Sequence, residues 1–337
     1  MMMNSKTMMT SSVLSFLLHI ATLSVINAFA PVEINPRPAS HASTGLYMSD
    51  SNGNSSGMPV TVVGGTGFVG SRVCKILVER GMAVTSLSKS GIAPKWCSDE
   101  AWTSQVDWKS IDLLSASESE LDTSMGKPKA VISCVGVIGT DPDVLYRGNG
   151  ESNINAFESA KRVGSVDAVS FVSVSSEVVA CQDNWLPEFF QEYFRGKLNA
   201  EQAAKEVCDG AATIVRPTFI YGGDSFGLLP PRVNDAYGSF IDQLLSFVLF
   251  DALANVTPGL IKVALRPPVS VNAVAGACVA GIQSKQGQIL DTAEAINTAA
   301  NQPAATGVED AIAWVVETSG KAVDFVNEKI KEQQAKK

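Results

Sequence analysis

The chain has 337 residues, 45% of them hydrophobic and 18% charged, and carries a net charge of −8. Such a composition belongs to a folded globular protein; it excludes a disordered chain, a collagen-like repeat and a disulfide-dense mini-domain, and it argues against nucleic acid as a partner. Its two histidines, His19 and His41, both lie near the N-terminus, so the rest of the chain has no histidine triad, no histidine-ligated metal and no histidine base, and no metal is expected.

Residues 1–57 read as an address. Val13–Ile26 is a 14-residue apolar run after a polar start, short for a membrane span and right for a signal-peptide core. It ends in Asn27-Ala28-Phe29-Ala30-Pro31, and Phe29–Gly57 is rich in Ser, Asn and Pro with only two acids, Glu33 and Asp50. The arrangement resembles the bipartite plastid presequence of algae with secondary plastids: a signal peptide to about residue 28, then a transit peptide. An ordinary secretory signal or anchor is the other reading, and a mitochondrial destination stays open. Six cysteines, Cys74, Cys97, Cys134, Cys181, Cys208 and Cys278, are scattered without a CxxC, which suits reduced thiols and argues against an oxidising compartment.

The body alternates short apolar strands with helices. Strands are expected at Val60–Val63, Ala83–Leu87, Val106–Ser110, Ala130–Cys134, Ala168–Val174, Thr213–Arg216 and Gln288–Asp291. A helix follows the first strand, with Val69, Val73, Ile76 and Leu77 on one face, and others run over Asn153–Val163, Tyr193–Val207 and Ala273–Ile282. This alternation predicts a doubly wound α/β fold, a parallel sheet covered on both faces.

Between the first strand and its helix stands Gly64-Gly65-Thr66-Gly67-Phe68-Val69-Gly70. Glycines at this spacing allow a tight turn and close backbone approach to a pyrophosphate at a helix N-terminus. An NAD site expects an acid at the end of the second strand; here Ser86-Leu87-Ser88-Lys89-Ser90 offers hydroxyls and a lysine instead. Ser88 and Lys89 suit a 2′-phosphate, so NADP(H) is preferred over NAD(H), with a solvated loop charge the other account of Lys89. Tyr193 and Lys197 open a helix after the fifth strand, with i,i+4 spacing that puts phenol and ammonium on one face. A nearby ammonium would lower the phenol pKa and suit it to proton transfer. The fifth strand ends in Ser173-Val174-Ser175-Ser176, a source of a hydroxyl.

Between Gly223 and Pro267 the only bases are Arg232, Lys262 and Arg266, a thin supply for a nucleotide-sugar diphosphate. The apolar residues Ile241, Leu244, Leu245, Val248 and Leu249 form one helical stripe. That stripe is either core, or the lining of an apolar pocket, or a surface for peripheral membrane contact. After Thr292 an Ala-, Asn- and Thr-rich stretch reads as a linker over 293–307, followed by an amphipathic C-terminal helix within 308–337, which packs back or serves a protein partner.

From about Met58 to Thr292 the sequence resembles the short-chain dehydrogenase/reductases of the extended or atypical kind. Gly64, Gly67 and Gly70 match that family's glycine motif, which makes the whole run from Gly64 to Gly70 the cofactor loop. Asp112 and Leu113 match the turn that receives adenine, and Cys134, Val135 and Gly136 the loop beside the ribose. Ser176, Tyr193 and Lys197 fall on the catalytic positions, and Arg216-Pro217-Thr218-Phe219-Ile220-Tyr221-Gly222 on the stretch near the nicotinamide, with Pro217 and Ile220 among the cofactor contacts. Pro267–Val271 resembles the late segment that closes over the site. The greatest similarity is to a quinone-associated branch, which includes the nucleotide-binding accessory subunit of respiratory complex I, a coenzyme Q biosynthesis protein and plastid relatives. It implies NADPH-dependent reduction of an apolar, quinone-like substrate. Tyr193 would give the proton, Lys197 would tune it and hold the ribose, and Ser176 would orient the oxygen. The rival expectation is a non-catalytic nucleotide-binding subunit of a quinone-linked membrane complex, and the third a nucleotide-sugar epimerase or dehydratase.

Overall fold

Strands β1 (Pro59–Val63), β2 (Ala83–Ser88), β3 (Val106–Ser110), β4 (Ala130–Ser133), β5 (Ala168–Val172) and β6 (Ala212–Val215) follow one another along the chain. The later strands are shorter: β7 (Ile220–Tyr221), β8 (Gly227–Leu228), β9 (Pro231–Arg232), β10 (Val269–Ser270) and β11 (Gln288–Leu290). The computed structural model describes residues 57–183, 186–223, 227–228, 231–232, 241–242, 245, 254–255 and 257–301. All of them lie in the unit Asn54–Lys337.

The first six strands and β11 make one seven-stranded parallel sheet in the order β11-β6-β5-β4-β1-β2-β3. Each runs close to the expected bounds; the central β1, β4, β5 and β6 are buried along nearly their whole length, as strands covered on both faces are, whereas β2, β3 and β11 are only partly buried. Helices α1 (Phe68–Glu79), α2 (Glu118–Met125), α3 (Pro142–Tyr146), α4 (Ser152–Val163), α5 (Ser176–Val179), α6 (Phe190–Val207), α7 (Gly259–Ala264), α8 (Val271–Ser284) and α9 (Ala293–Ala299) connect or cover it. One face carries α1 and α8, whose Val73, Leu77, Val274 and Cys278 pack on Val60, Val62 and Ile132. On the other face Leu121, Phe157, Ala160, Ala200 and Ala204 meet Val131, Val169, Phe171 and Ile214. None of the six cysteines is in a disulfide.

The chain winds outward from β1 through β2 to β3 in one direction and from β4 through β5 to β6 in the other. The order therefore reverses between β1 and β4, and the crevice beyond their carboxyl ends is where such sheets bind ligands. The glycine run after β1 and the Cys134–Gly136 loop after β4 border that crevice.

Five helices, α2, α3, α5, α7 and α9, were not named from the sequence. Helix α2 has a reciprocal cap: the Glu120 N–H donates to the Ser117 hydroxyl, and the Ser117 N–H donates to the Glu120 carboxylate at 2.8 Å. The expected linker 293–307 is corrected at its start, because α9 occupies Ala293–Ala299. Thr292 caps it by accepting the Ala295 N–H at 3.1 Å, and Ile296 is fully buried. Its weak composition conceals one buried anchor. Residues 1–56 of the expected targeting segment 1–57, most of the apolar stripe and the expected 308–337 helix lie outside the described residues; within the stripe, Leu245 is buried.

Candidate active site

The nucleotide end begins where β1 stops. Gly64 turns the chain with φ +78°, its N–H donating to the Leu87 carbonyl at 2.7 Å, and Gly67 donates to the Gly64 carbonyl at 2.9 Å. Gly70, in the first turn of α1, lies so close to Gly64 that a Cβ would run into the Gly64 carbonyl oxygen. No side chain caps α1 at Gly67, the end at which a helix presents N–H groups to an anion. Val69 is buried in the core, leaving only its backbone for a ligand, whereas Thr66 and Phe68 are half-buried.

At the end of β2, the Ser88 hydroxyl accepts the Gly91 N–H at 3.1 Å and exposed Lys89 pairs with Asp112 at 3.1 Å. Two residues expected to meet different parts of a cofactor thus form one ion pair. The Leu114 N–H, chiefly, and Lys89 hold the Asp112 carboxyl below its usual range. Leu113 is buried, and its carbonyl accepts Asn155 at 2.8 Å.

Across the switch point, the β4 loop is fixed by side chains beneath it. Buried Ser133 donates to Asn153 at 2.5 Å, and the half-buried Cys134 donates its N–H to the Val63 carbonyl at 2.9 Å. Lys197 is buried and donates to the carbonyls of Val135 and Val172, each at 2.9 Å, with its ammonium 4.9 Å from the centre of the Phe171 ring. A Cβ on Gly136 would sit 3.2 Å from that ammonium. Burial lowers the Lys197 pKa to about 8, opposed by its electrostatic interactions with Cys134 and Glu201.

Tyr193 lies one turn earlier on α6, half-buried, with its ring edge-on to Phe190 and Phe194. Burial pushes its phenol up to about 12. The lowered phenol pKa anticipated from the i,i+4 spacing is therefore not realised, because the ammonium is held by two backbone carbonyls. Ser176 is exposed at the first position of α5, and its N–H donates to Asp291 at 3.0 Å. Among the described residues no hydrogen bond joins the Ser176 hydroxyl, the Tyr193 hydroxyl and Lys197. Buried Pro217 accepts the Ser175 N–H at 3.2 Å, and Ile220 pairs with Val269 across β7 and β10.

Residues 60–251 match the model of the NAD dependent epimerase/dehydratase family. The chain belongs to that family. An uncharacterized chloroplastic protein of Arabidopsis thaliana is 30% identical over 253 residues, covering 72% of this chain and 77% of its own. MIOREX complex component 2 of Saccharomyces cerevisiae is 41% identical over 54 residues, 15% of this chain and 20% of its own. Among solved structures, UDP-glucuronic acid 4-epimerase from Bacillus cereus in complex with NAD is 18% identical, with TM-score 0.46, over 69% of this chain and 77% of that one. UDP-glucose 4-epimerase from Thermotoga maritima is 17% identical, with TM-score 0.46, over 66% and 72%. The family agrees with the extended short-chain dehydrogenase/reductase resemblance and makes the chain's cofactor class nicotinamide dinucleotide.

Four residues of this epimerase/dehydratase-family site were not singled out from the sequence. Asn149 sits in a wide π turn, Arg147–Glu151, where its side chain donates to Val137 and Leu145 carbonyls and accepts the Val137 N–H at 3.1 Å. Glu201 is buried on α6 and takes the Arg216 guanidinium on both oxygens; Asp291 receives the same guanidinium at 3.1 Å. Glu177, next to Ser176, is held by Arg266 at 2.7 Å and Lys262 at 3.0 Å. A signal existed for Glu201, since Tyr193, Lys197 and Glu201 repeat every fourth residue, and for Asn149, which stands between Gly148 and Gly150.

Proposed function

We propose that this family member is an oxidoreductase that uses NADP(H) in preference to NAD(H) and reduces an apolar carbonyl or quinone-like substrate in a plastid. Lys197 carries the reading: an ammonium buried beneath the loop on the nicotinamide side, one turn after a tyrosine. Packing alone would be better served by an aliphatic residue, since burying a cation opposes folding.

The residues present fit a dinucleotide. Nothing larger than hydrogen stands at Gly70, the start of α1 has no side-chain cap, and Gly136 puts no side chain between the loop and the Lys197 ammonium, 3.2 Å from where a Cβ would sit. Gly64, Gly65, Thr66, Gly67 and Gly70 would hold the pyrophosphate and Asp112 and Leu113 the adenine side. Ser88 and Lys89 would hold the 2′-phosphate, and Val135, Gly136, Pro217 and Ile220 the nicotinamide side. When bound, the reduced nicotinamide supplies a hydride. Tyr193 stays protonated at neutral pH and hands its proton to the substrate oxygen, while the exposed Ser176 hydroxyl orients that oxygen. Lys197 spends two N–H groups on Val135 and Val172, fixing the loop, and keeps the third for the ribose.

The absence of an acid at the end of β2 and the exposed Lys89 support NADP(H). Half-buried Phe189 and Phe190, one turn before Tyr193, support an apolar substrate. The chloroplastic relative and the bipartite leader expected at residues 1–57 support the plastid. The bonds Lys197 makes to backbone carbonyls favour one second reading, a nucleotide-binding subunit in which the lysine is structural. Tyr193→Phe separates the two. As a reductase, the protein loses at least about a hundredfold in NADPH-dependent quinone turnover while its NADPH affinity stays within twofold. No turnover in a wild type that binds NADPH supports the second reading, and unchanged turnover in the variant would take the proton-donor role from Tyr193.

A further inference from the structure

Among the described residues, two cations meet on the carboxylate of Glu177, the residue after Ser176. Arg266 donates its Nε and Nη2 to the two oxygens of Glu177, at 2.8 and 2.7 Å, and Lys262 donates to the same carboxylate at 3.0 Å. Asn255 takes a further bond from the same guanidinium at 3.0 Å. The three charged side chains are from a fifth to about a third exposed, so the cluster lies near the protein surface, next in the chain to Ser176, rather than in the deep core. Arg216 is likewise divided between Glu201 and Asp291. A substrate carrying two phosphates needs such forks free, because paired N–H donors are what recognise phosphate oxygens.

Glu177 also stands at an instructive place in the chain. It follows Ser176 directly, and the Ser175 hydroxyl accepts the Glu177 N–H at 3.2 Å, so its backbone is fixed by the same turn that presents the serine. From there its side chain reaches α7, the helix after the apolar segment. Of the three bases between Gly223 and Pro267, two end on this one carboxylate.

We propose that Glu177 is a specificity-determining residue: by holding Arg266 and Lys262 it fills the place a substrate's phosphates would take, and the site accepts an uncharged substrate. This rests on the reductase reading and narrows it, since it accounts for how an epimerase/dehydratase-family scaffold refuses a nucleotide diphosphate. Glu177 takes no part in proton transfer.

The test is calorimetric titration of the full-length wild type and of Glu177→Gln with inorganic pyrophosphate and with UDP-glucose, each with and without saturating NADPH. The NADPH arm keeps the cofactor loop occupied, so the remaining signal comes from the substrate side. The wild type should bind neither probe in that arm below millimolar concentration. Glu177→Gln should bind both at least tenfold more tightly, and Glu177→Gln/Arg266→Met should lose the gain. Micromolar binding of UDP-glucose by the NADPH-loaded wild type overturns the proposal without needing any variant to fold. A folded Glu177→Gln as silent as the wild type overturns it too. Failure of the wild type to bind NADPH is a separate result that defeats the cofactor reading, and the pyrophosphate comparison between the two proteins then still decides the role of Glu177.

Discussion

Lys197 is the residue at which stability and function pull apart. Its ammonium is buried against Phe171 and two carbonyls, and its pKa falls from an ordinary 10.5 to about 8. Below pH 8 both the folded and unfolded chains hold this proton, so the cost of burying the charge is fully present. Between about 8 and 10.5 the unfolded chain still binds the proton and the folded chain has released it, so stability rises with pH across that window. At about 1.4 kcal/mol per pH unit the whole effect is about 3 kcal/mol. Of the groups facing the ammonium, Glu201 and Cys134 favour its charge, and the Tyr193 phenol, pushed up to about 12, titrates above the window. Urea unfolding at pH 7 and pH 10 should therefore show the wild type gaining about 2–3 kcal/mol relative to Lys197→Met; parallel profiles would sink the argument. The glycines at 64, 67 and 70 were legible in the sequence because the turn geometry itself fixes their spacing. The pairing of Lys89 with Asp112 was not, since their meeting depends on β2 and β3 lying side by side.

At the scale of elements, Arg216 joins three pieces of structure: α6 through Glu201, the end of β11 through Asp291, and the start of α5 through the Ser176 N–H that Asp291 also accepts. Glu201 is almost wholly buried, and removing its partner leaves a charge with no water to solvate it. Arg216→Met should cost about 3–5 kcal/mol, and adding Glu201→Leu should restore at least half of that. Equal urea midpoints for the single and double variants would show that the charge pair is not what holds the elements together. The strands were readable from short apolar runs, and α1, α4, α6 and α8 from their apolar periodicity. Helix α2 has only Leu121 and Met125 buried, too few for a pattern, and its Ser117–Glu120 cap was the signal passed over. Helix α9 leans on Ile296 alone, and an Ala- and Asn-rich stretch with one anchor looks like a linker until the surface it packs on is known.

For the whole molecule, the strand order sets the site. The reversal between β1 and β4 brings the glycine turn and the Val135–Gly136 loop to one crevice, with Lys197 beneath the second of them. The doubly wound class followed from alternation along the chain; the cation traps around Glu177 and Arg216 did not, because each joins residues 15 to 89 positions apart. The central claim is that this crevice holds NADP(H), and fluorescence titration of the full chain with NADPH and NADH tests it most directly. The account predicts saturable binding that is tighter for NADPH, a loss of that preference in Lys89→Ala, and no binding of either nucleotide by Gly70→Ala, whose Cβ collides with the Gly64 carbonyl. Equal affinity for the two nucleotides, unchanged in Lys89→Ala, would contradict the NADP(H) assignment. Absence of binding by the wild type would contradict the reductase account altogether.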